Sequence, residues 1–204
     1  MQIPYPSATF TISCAAPSQF PAPRGPEVAF AGRSNSGKSS TLNRLCRRKK
    51  LAHVSKTPGR TQMINFFALS NDAQLVDLPG YGFARVPERE KRKWGHLIEQ
   101  YLGKRSVLRG LVIVMDIRHP LTTHDWQMLE WCHGRLLPAH ILLNKADKLK
   151  RNGMQKALMS VRKQLKEAGD PASVQLFSAA KGLGLDELYT TLDGWLSVDE
   201  ETGE

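Results

Sequence analysis

Val28-Ala29-Phe30-Ala31-Gly32-Arg33-Ser34-Asn35-Ser36-Gly37-Lys38-Ser39 joins an apolar run to a glycine-containing turn and then to a stretch with helical spacing, Lys38 to Arg48. Its last eight residues match G-x-x-x-x-G-K-[ST], in the strand-loop-helix setting that this phosphate-binding pattern requires. Glycines let the backbone wrap a polyphosphate, so that successive amides and the helix amino end face the negative charge. The residues expected to touch such a ligand are Gly32, Arg33, Ser34, Asn35, Ser36, Gly37, Lys38, Ser39 and Ser40. Lys38 would neutralise the β and γ phosphates, and the Ser39 hydroxyl would ligate Mg2+.

Outward from this loop, short apolar runs alternate with amphipathic stretches. Val28 to Ala31, Leu75 to Leu78, Leu111 to Asp116, His140 to Asn144 and Val174 to Phe177 read as buried parallel strands. Lys38 to Arg48, Lys93 to Arg105, Thr123 to Leu137, Met154 to Ala168 and Leu185 to Ser197 have helical spacing. Met63 to Ser70 precedes the Leu75 strand across Asn71-Asp72, which predicts an antiparallel hairpin. The expected fold is an α/β P-loop NTPase: a doubly wound, mostly parallel six-stranded sheet with one antiparallel strand and helices on both faces. An alternating segment, Thr9 to Ser13, and prolines 17, 21, 23 and 26 predict an extended amino-terminal lead-in over residues 1–26. A single nucleotide-binding domain would follow over 27–198, then an acidic flexible tail over 199–204.

Composition agrees with a single globular unit. The chain has 204 residues, 41% hydrophobic and 24% charged, which excludes disorder, collagen-like repeats and coiled coil as the main architecture. The longest uncharged apolar stretch, Gly110 to Met115, falls far short of the roughly 20 residues of a membrane span. The first 23 residues carry no Lys or Arg and no long apolar block, unlike a secretory signal. Cys14, Cys46 and Cys132 are odd in number and lack zinc-site spacing. The expectation is a cytoplasmic monomer with reduced thiols. The net charge of +10 is concentrated: Arg44, Arg47, Arg48, Lys49, Lys50, Lys56 and Arg60 occupy one stretch without an acid. Such a run favours an anionic partner such as RNA, although Lys and Arg at a helix end also favour its dipole.

Two further motifs follow strands, where ligands bind in a doubly wound sheet. Asp77-Leu78-Pro79-Gly80 reads as D-x-x-G; the Asp can hold Mg2+ through water and the Gly80 N–H can reach the γ-phosphate. Asn144-Lys145-Ala146-Asp147 reads as N-K-x-D. The Asp147 carboxylate can accept both N1–H and N2–H of guanine, whereas adenine would leave it facing an acceptor. Asn144 and the Lys145 stem would brace base and loop, and the Ala179 and Ala180 amides of Ser178-Ala179-Ala180 would meet guanine O6. The turn-rich segment between Arg48 and Met63 reads as a switch in which Gly59, Arg60 and Thr61 reach the nucleotide. Thr61 is the chosen Mg2+-closing hydroxyl; Thr57 is the weaker candidate because Pro58 follows it.

With these motifs in order, the chain resembles the EngB family (also called YsxC or YihA) of bacterial ribosome-assembly GTPases, within the TrmE-Era-EngA-like branch. The resemblance covers roughly Phe20 to Trp195 and rests on Gly32 through Ser39, Pro58-Gly59-Arg60-Thr61-Gln62, Asp77-Leu78-Pro79-Gly80-Tyr81-Gly82-Phe83-Ala84 and Asp116-Ile117-Arg118-His119-Pro120. It implies a Mg2+-dependent GTPase switch that helps mature the large ribosomal subunit and is needed for normal cell division and septation. Such proteins often show Thr where this chain has Asn144, which restores the general GTPase form.

Many small GTPases place a water-orienting Gln directly after D-x-x-G, but here that residue is Tyr81. Slow hydrolysis is therefore expected, stimulated by a ribosomal partner or by a cation. Asn35 matches the P-loop Asn that helps bind K+ in related GTPases, and the catalytic set becomes Lys38, Asn35, Gly80 and Thr61, with Ser39, Thr61 and Asp77 toward the metal. Arg60 and Arg118 are alternative charge donors, each equally suited to a loop salt bridge. Two rivals stand beside the switch: an ATP-dependent kinase, disfavoured by Asp147, and a nucleotide-regulated scaffold of cell division with little hydrolysis of its own.

Overall fold

Along Glu27–Gly32 and from Gly110 to Met115, in the two central strands, successive residues are all buried but their side chains alternate between two apolar layers. Val28 and Phe30 join one layer while Ala29 and Ala31 join the other, and Val112 and Val114 alternate likewise with Leu111, Ile113 and Met115. A strand buried on both faces needs covering helices on both, and parallel neighbours follow from the helical crossovers. The computed structural model describes residues 3–52, 63–82 and 88–197. Among these the chain runs β1 (Thr9–Cys14), β2 (Glu27–Gly32), α1 (Lys38–Leu45), β3 (Ile64–Ala68), β4 (Gln74–Asp77), α2 (Glu88–Lys104), β5 (Leu108–Asp116), α3 (Thr123–His133), β6 (Ala139–Asn144), α4 (Arg151–Glu167), β7 (Ser173–Leu176) and α5 (Leu185–Leu196). Helices α2, α3 and α4 supply one layer through residues such as Tyr101, Leu129 and Val161; α1 and α5 supply the other through Leu42, Leu45 and Leu188.

The sheet order is β1-β3-β4-β2-β5-β6-β7. Strands β4, β2, β5, β6 and β7 are parallel, and β3 runs antiparallel to both of its neighbours. The predicted β3–β4 hairpin is present, with Asp72 of its turn at φ 64°. Because α1 leaves β2 toward one face and α3 leaves β5 toward the other, a crevice opens beyond the carboxyl ends of β2 and β5.

Seven strands stand where six were expected. The extra one is β1, which pairs with β3 from Thr9↔Ala68 to Cys14↔Ile64, with the register shifting between Phe10 and Ile12. As an edge strand it is exposed from Thr9 to Ile12, so it lacks the apolar density that marks the inner strands. The lead-in is also not simply extended: Tyr5–Ser7 and Pro17–Gln19 are 3-10 turns. Tyr5 is buried, stacks on Tyr189 and donates its hydroxyl to Asp193 at 2.6 Å. Helix α3 stops at His133, short of Leu137, because Leu136 adopts φ 54° in the turn leading to β6. No described helix is long and apolar enough to cross a membrane.

One buried charge cluster fixes the amino-terminal side of the sheet. Glu27, fully buried at the start of β2, accepts from Arg105 Nε at 2.8 Å, from Arg105 Nη2 at 2.5 Å and from the Tyr101 hydroxyl at 3.1 Å. Arg105 Nη1 donates in addition to Pro21 O at 2.7 Å, tying the proline-rich segment to the end of α2. Removing one member strands the other's charge in the interior. Arg105→Met is expected to lower stability by roughly 3 kcal/mol in urea denaturation, and adding Glu27→Leu should recover much of that loss.

Candidate nucleotide-binding site

The phosphate loop takes its shape from two left-handed residues, Asn35 at φ 64° and Gly37 at φ 97°, the latter capping α1. Asn tolerates that region better than most residues, while at Gly37 a side chain is also barred by space. A Cβ there would lie 2.2 Å from Asn144 Nδ2, and one on Gly32 would lie 2.6 Å from Val114 O. Lys38 and Ser39 open α1, and the Lys38 ammonium forms an ion pair with Asp77 at the end of β4. Past Asp77 the chain is sewn to the loop: Tyr81 N–H donates to Gly32 O at 3.2 Å and Ser34 N–H to Tyr81 O at 2.9 Å. These bonds bring Gly80 alongside Ser34, whose Cα and N would lie 3.6 Å from a Cβ on that glycine.

The N-K-x-D loop is placed by register. Asp116 and Asn144 are partners at the ends of β5 and β6, and Ile117 N–H continues the ladder to Asn144 O at 2.9 Å. The buried Asn144 side chain then works in two directions: Nδ2 donates to Ser36 O at 2.8 Å, and Oδ1 accepts from Ala179 N–H at 3.1 Å. Lys145, at φ 64°, sends its ammonium to Asn35 O at 2.6 Å and to Asp116 Oδ2 at 2.9 Å. Ser178 donates its hydroxyl to Asp147, and Lys148 stands 3.4 Å from the same carboxylate. The Ser178 hydrogen bond, with Lys148 beside it, holds the Asp147 carboxyl below the usual carboxylate range, so it is ionised at neutral pH.

Gly32 to Ser39, Asp77, Gly80, Asn144, Lys145, Asp147, Ser178 and Ala179 thus converge beyond the strand ends. Ser40 and Ala180 lie exposed at the rim, and the stem of Arg33 turns away to lie against Gly82. Gly59, Arg60 and Thr61, with Thr57, lie outside the described residues, as does the 199–204 tail. Arg118, which the sequence left between charge donor and salt bridge, makes a two-pronged bond to Asp116 at 2.9 and 2.6 Å. That bond, ahead of the one from Lys145, holds Asp116 well below the usual carboxylate range.

Sequence reasoning missed three residues. Arg44, counted there among the surface cations, donates to Ala179 O at 2.7 Å and Ala180 O at 2.8 Å, so α1 orients the peptides of the last loop. Asp116 was quoted only as part of a family motif. Asp125 accepts the Tyr81 hydroxyl at 2.6 Å while its other oxygen caps α3 through Thr122 N–H and Oγ1, both at 2.8 Å. Their partners lie 135, 29 and 44 residues away, and no local pattern announces such pairs. The Tyr81 ring is buried between Trp94 and His124, with centroids 6.5 and 6.3 Å away, so the phenol is committed to α3.

The donor set suits a nucleotide with Mg2+. Among the described residues no three His, Cys, Asp or Glu side chains gather as a metal cage. A Mg2+ here would draw on Ser39, Asp77, phosphate oxygens and water, which is how this ion is commonly held. Glycines at 32 and 37 leave open backbone where any Cβ would collide.

Comparison with known proteins narrows the class. A family model described as 50S ribosome-binding GTPase matches residues 27–145. A relative from Aromatoleum aromaticum, named "Probable GTP-binding protein EngB", is 51% identical over 195 residues, 96% of this chain and 90% of its own. One of the same name from Azoarcus sp. is 52% identical over 199 residues, covering 97% and 95%. The chain belongs to the EngB family of GTP-binding proteins, and it is a GTPase. In fold it is similar to a crystal structure of an EngB protein, with TM-score 0.67, 22% identity, and 83% of this chain and 98% of that one covered. It is likewise similar to Era in complex with MgGDPNP and nucleotides 1506–1542 of 16S ribosomal RNA, at TM-score 0.66 and 23% identity over 89% and 60%. This chain carries Tyr81 at the position where many small GTPases place a catalytic glutamine. Tyr81→Phe is expected to lower stability by about 1–3 kcal/mol, since Asp125 loses a buried donor, without slowing single-turnover GTP hydrolysis; a fall in that rate would place the phenol in the chemistry.

Proposed function

We propose that this GTPase is a Mg2+-dependent switch, hydrolysing GTP to GDP and phosphate, that times a step in large ribosomal subunit assembly and thereby supports normal cell division and septation. The observation that carries the nucleotide assignment is the Asp147 carboxylate, ionised and oriented by Ser178 on a loop that Asn144 bonds to the phosphate loop. Asp147 accepts the two guanine donors, and Asn144, Lys145 and the Ser178-Ala179-Ala180 turn enclose the base. The amides from Gly32 to Ser40 and the Lys38 ammonium hold the phosphates; Ser39, Asp77 and Thr61 serve the metal, which when bound draws charge from the reacting phosphoryl group. Gly59 and Arg60 complete the nucleotide contacts, and the Gly80 N–H senses the γ-phosphate. Residues 27–198 form the GTP-binding domain, working as a cytoplasmic monomer.

With the phenol of residue 81 engaged elsewhere, turnover is slow until a ribosomal particle or a K+ ion beside Asn35 supplies the missing charge stabilisation. The partner reading rests on exposed cations. Arg47, Arg48, Lys49 and Lys50 are all exposed after α1, and from Lys148 to Lys166 the chain holds seven cations and no acid. An RNA phosphate backbone is the matching surface.

Asp147→Asn exchanges an acceptor for a donor and should move preference from guanosine to xanthosine diphosphate in calorimetry; retention of guanine preference would overturn the base assignment. Binding to large-subunit particles should fall steeply with salt, and the slope should soften when Arg47, Arg48, Lys49 and Lys50 become Ala. Unchanged turnover on those particles when Na+ replaces K+ would remove the monovalent-cation role.

A further inference from the structure

We propose that Asp116 is a positioning residue for guanine-nucleotide binding: its carboxylate fixes the Lys145 ammonium against the Asn35 carbonyl, locking the base loop to the phosphate loop through a second link besides Asn144. The inference rests on the guanine reading of the site given above. Asp116 reaches this place by register, as the cross-strand partner of Asn144, one residue before the lysine it holds. The Lys145 backbone sits at φ 64°, a conformation that a lysine occupies at an energetic cost and keeps only where its surroundings impose it. Its side chain also gives up much rotamer freedom, more than one bond to a rim carbonyl repays.

The imposing surroundings are two acceptors on two segments, Asn35 O at 2.6 Å and Asp116 Oδ2 at 2.9 Å. A carboxylate is the stronger of these, because bonds between ionised partners exceed neutral ones. Asp116 is itself immobilised. Its Oδ1 accepts from Arg118 N–H at 3.1 Å and Nε at 2.9 Å, and its Oδ2 accepts from Arg118 Nη2 at 2.6 Å as well as from the lysine. Arg118 therefore orients the carboxylate, the carboxylate orients the ammonium, and the methylene stem between ammonium and loop is tethered at both ends. Without Asp116, the Lys145 head retains one partner at the rim and can swing into solvent, taking the stem away from where the N-K-x-D loop receives the purine.

Such a stem meets the face of a base, whereas Asp147 reads its edge, and this separates the two roles experimentally. Asp116→Asn should weaken GDP and inosine diphosphate by the same factor, about tenfold, chiefly through faster dissociation, with the melting temperature followed to confirm folding. In a Lys145→Met background, which keeps the stem and removes the ammonium, the same change should cost less than about twofold. Asp116→Glu supplies the same comparison should Asp116→Asn fail to fold. Unchanged affinity in the single variant, or an equal loss with and without the ammonium, overturns the proposal. A retained guanine preference in Asp147→Asn would bring down the guanine reading and this role with it. A switch to xanthine accompanied by equal losses at Asp116 would bring down the positioning role alone.

Discussion

One amide side chain sets the distance between the two ends of the site. Asn144 donates to Ser36 O across 108 residues of sequence and accepts from Ala179 N–H across 35, so three separate loops share one rigid group. A nucleotide's base can lie only a limited distance from its phosphates, and loops already held within that reach bind both without a cost of reorganisation. The constraint reaches back into the phosphate loop, where Asn144 Nδ2 occupies the space that a Cβ on Gly37 would need. Gly37 is thus required twice, by its φ of 97° and by the side chain packed over it. The sheet's contribution is register, since the alignment of β5 with β6 decides which residues stand at the rim.

Much of this was legible in the sequence because the motifs encode local backbone shapes. G-x-x-x-x-G-K-[ST] after an apolar run specifies its own turn, and the parallel strands were recognisable from unbroken Val, Ile and Leu runs that need cover on both faces. What stayed hidden depends on partners distant in sequence. Strand β1 is exposed for most of its length and gains its place only by pairing with β3, some fifty residues on. Arg44 looked like another surface cation because its neighbours are basic, and only the fold brings the Ala179 and Ala180 carbonyls to it. The end of α3 was overrun because periodicity continues to Leu137, whereas the left-handed turn at Leu136 has no glycine to announce it.

The distribution of charge also separates stability from function. Helix α4 begins with Lys150 at its cap, Arg151 next and no acid in its first turn, an arrangement opposed to the helix dipole. Its i,i+4 ion pair, Lys163–Glu167, is exposed on both sides and adds little to stability. The helix is held instead by Leu158, Val161 and Leu165 against the sheet. Where charge does organise structure it is buried, as at Glu27 and Arg105, or shared at the rim, as at Asp116.

Tyr81 shows how packing limits chemistry. Its backbone is bonded to Gly32 and Ser34, and its phenol, raised far above the usual tyrosine range by burial first and by Asp125 next, remains protonated and donates inward. A group in that state can neither take a proton from water nor turn toward the phosphates without breaking the Asp125 bond and exposing its ring. The same bond joins the segment next to Gly80 to the cap of α3, so movement of Gly80 toward a γ-phosphate is resisted by a whole helix end. Residue 81 thus gives mechanical coupling to α3 in place of water orientation, and any group that orients the attacking water stands elsewhere than residue 81.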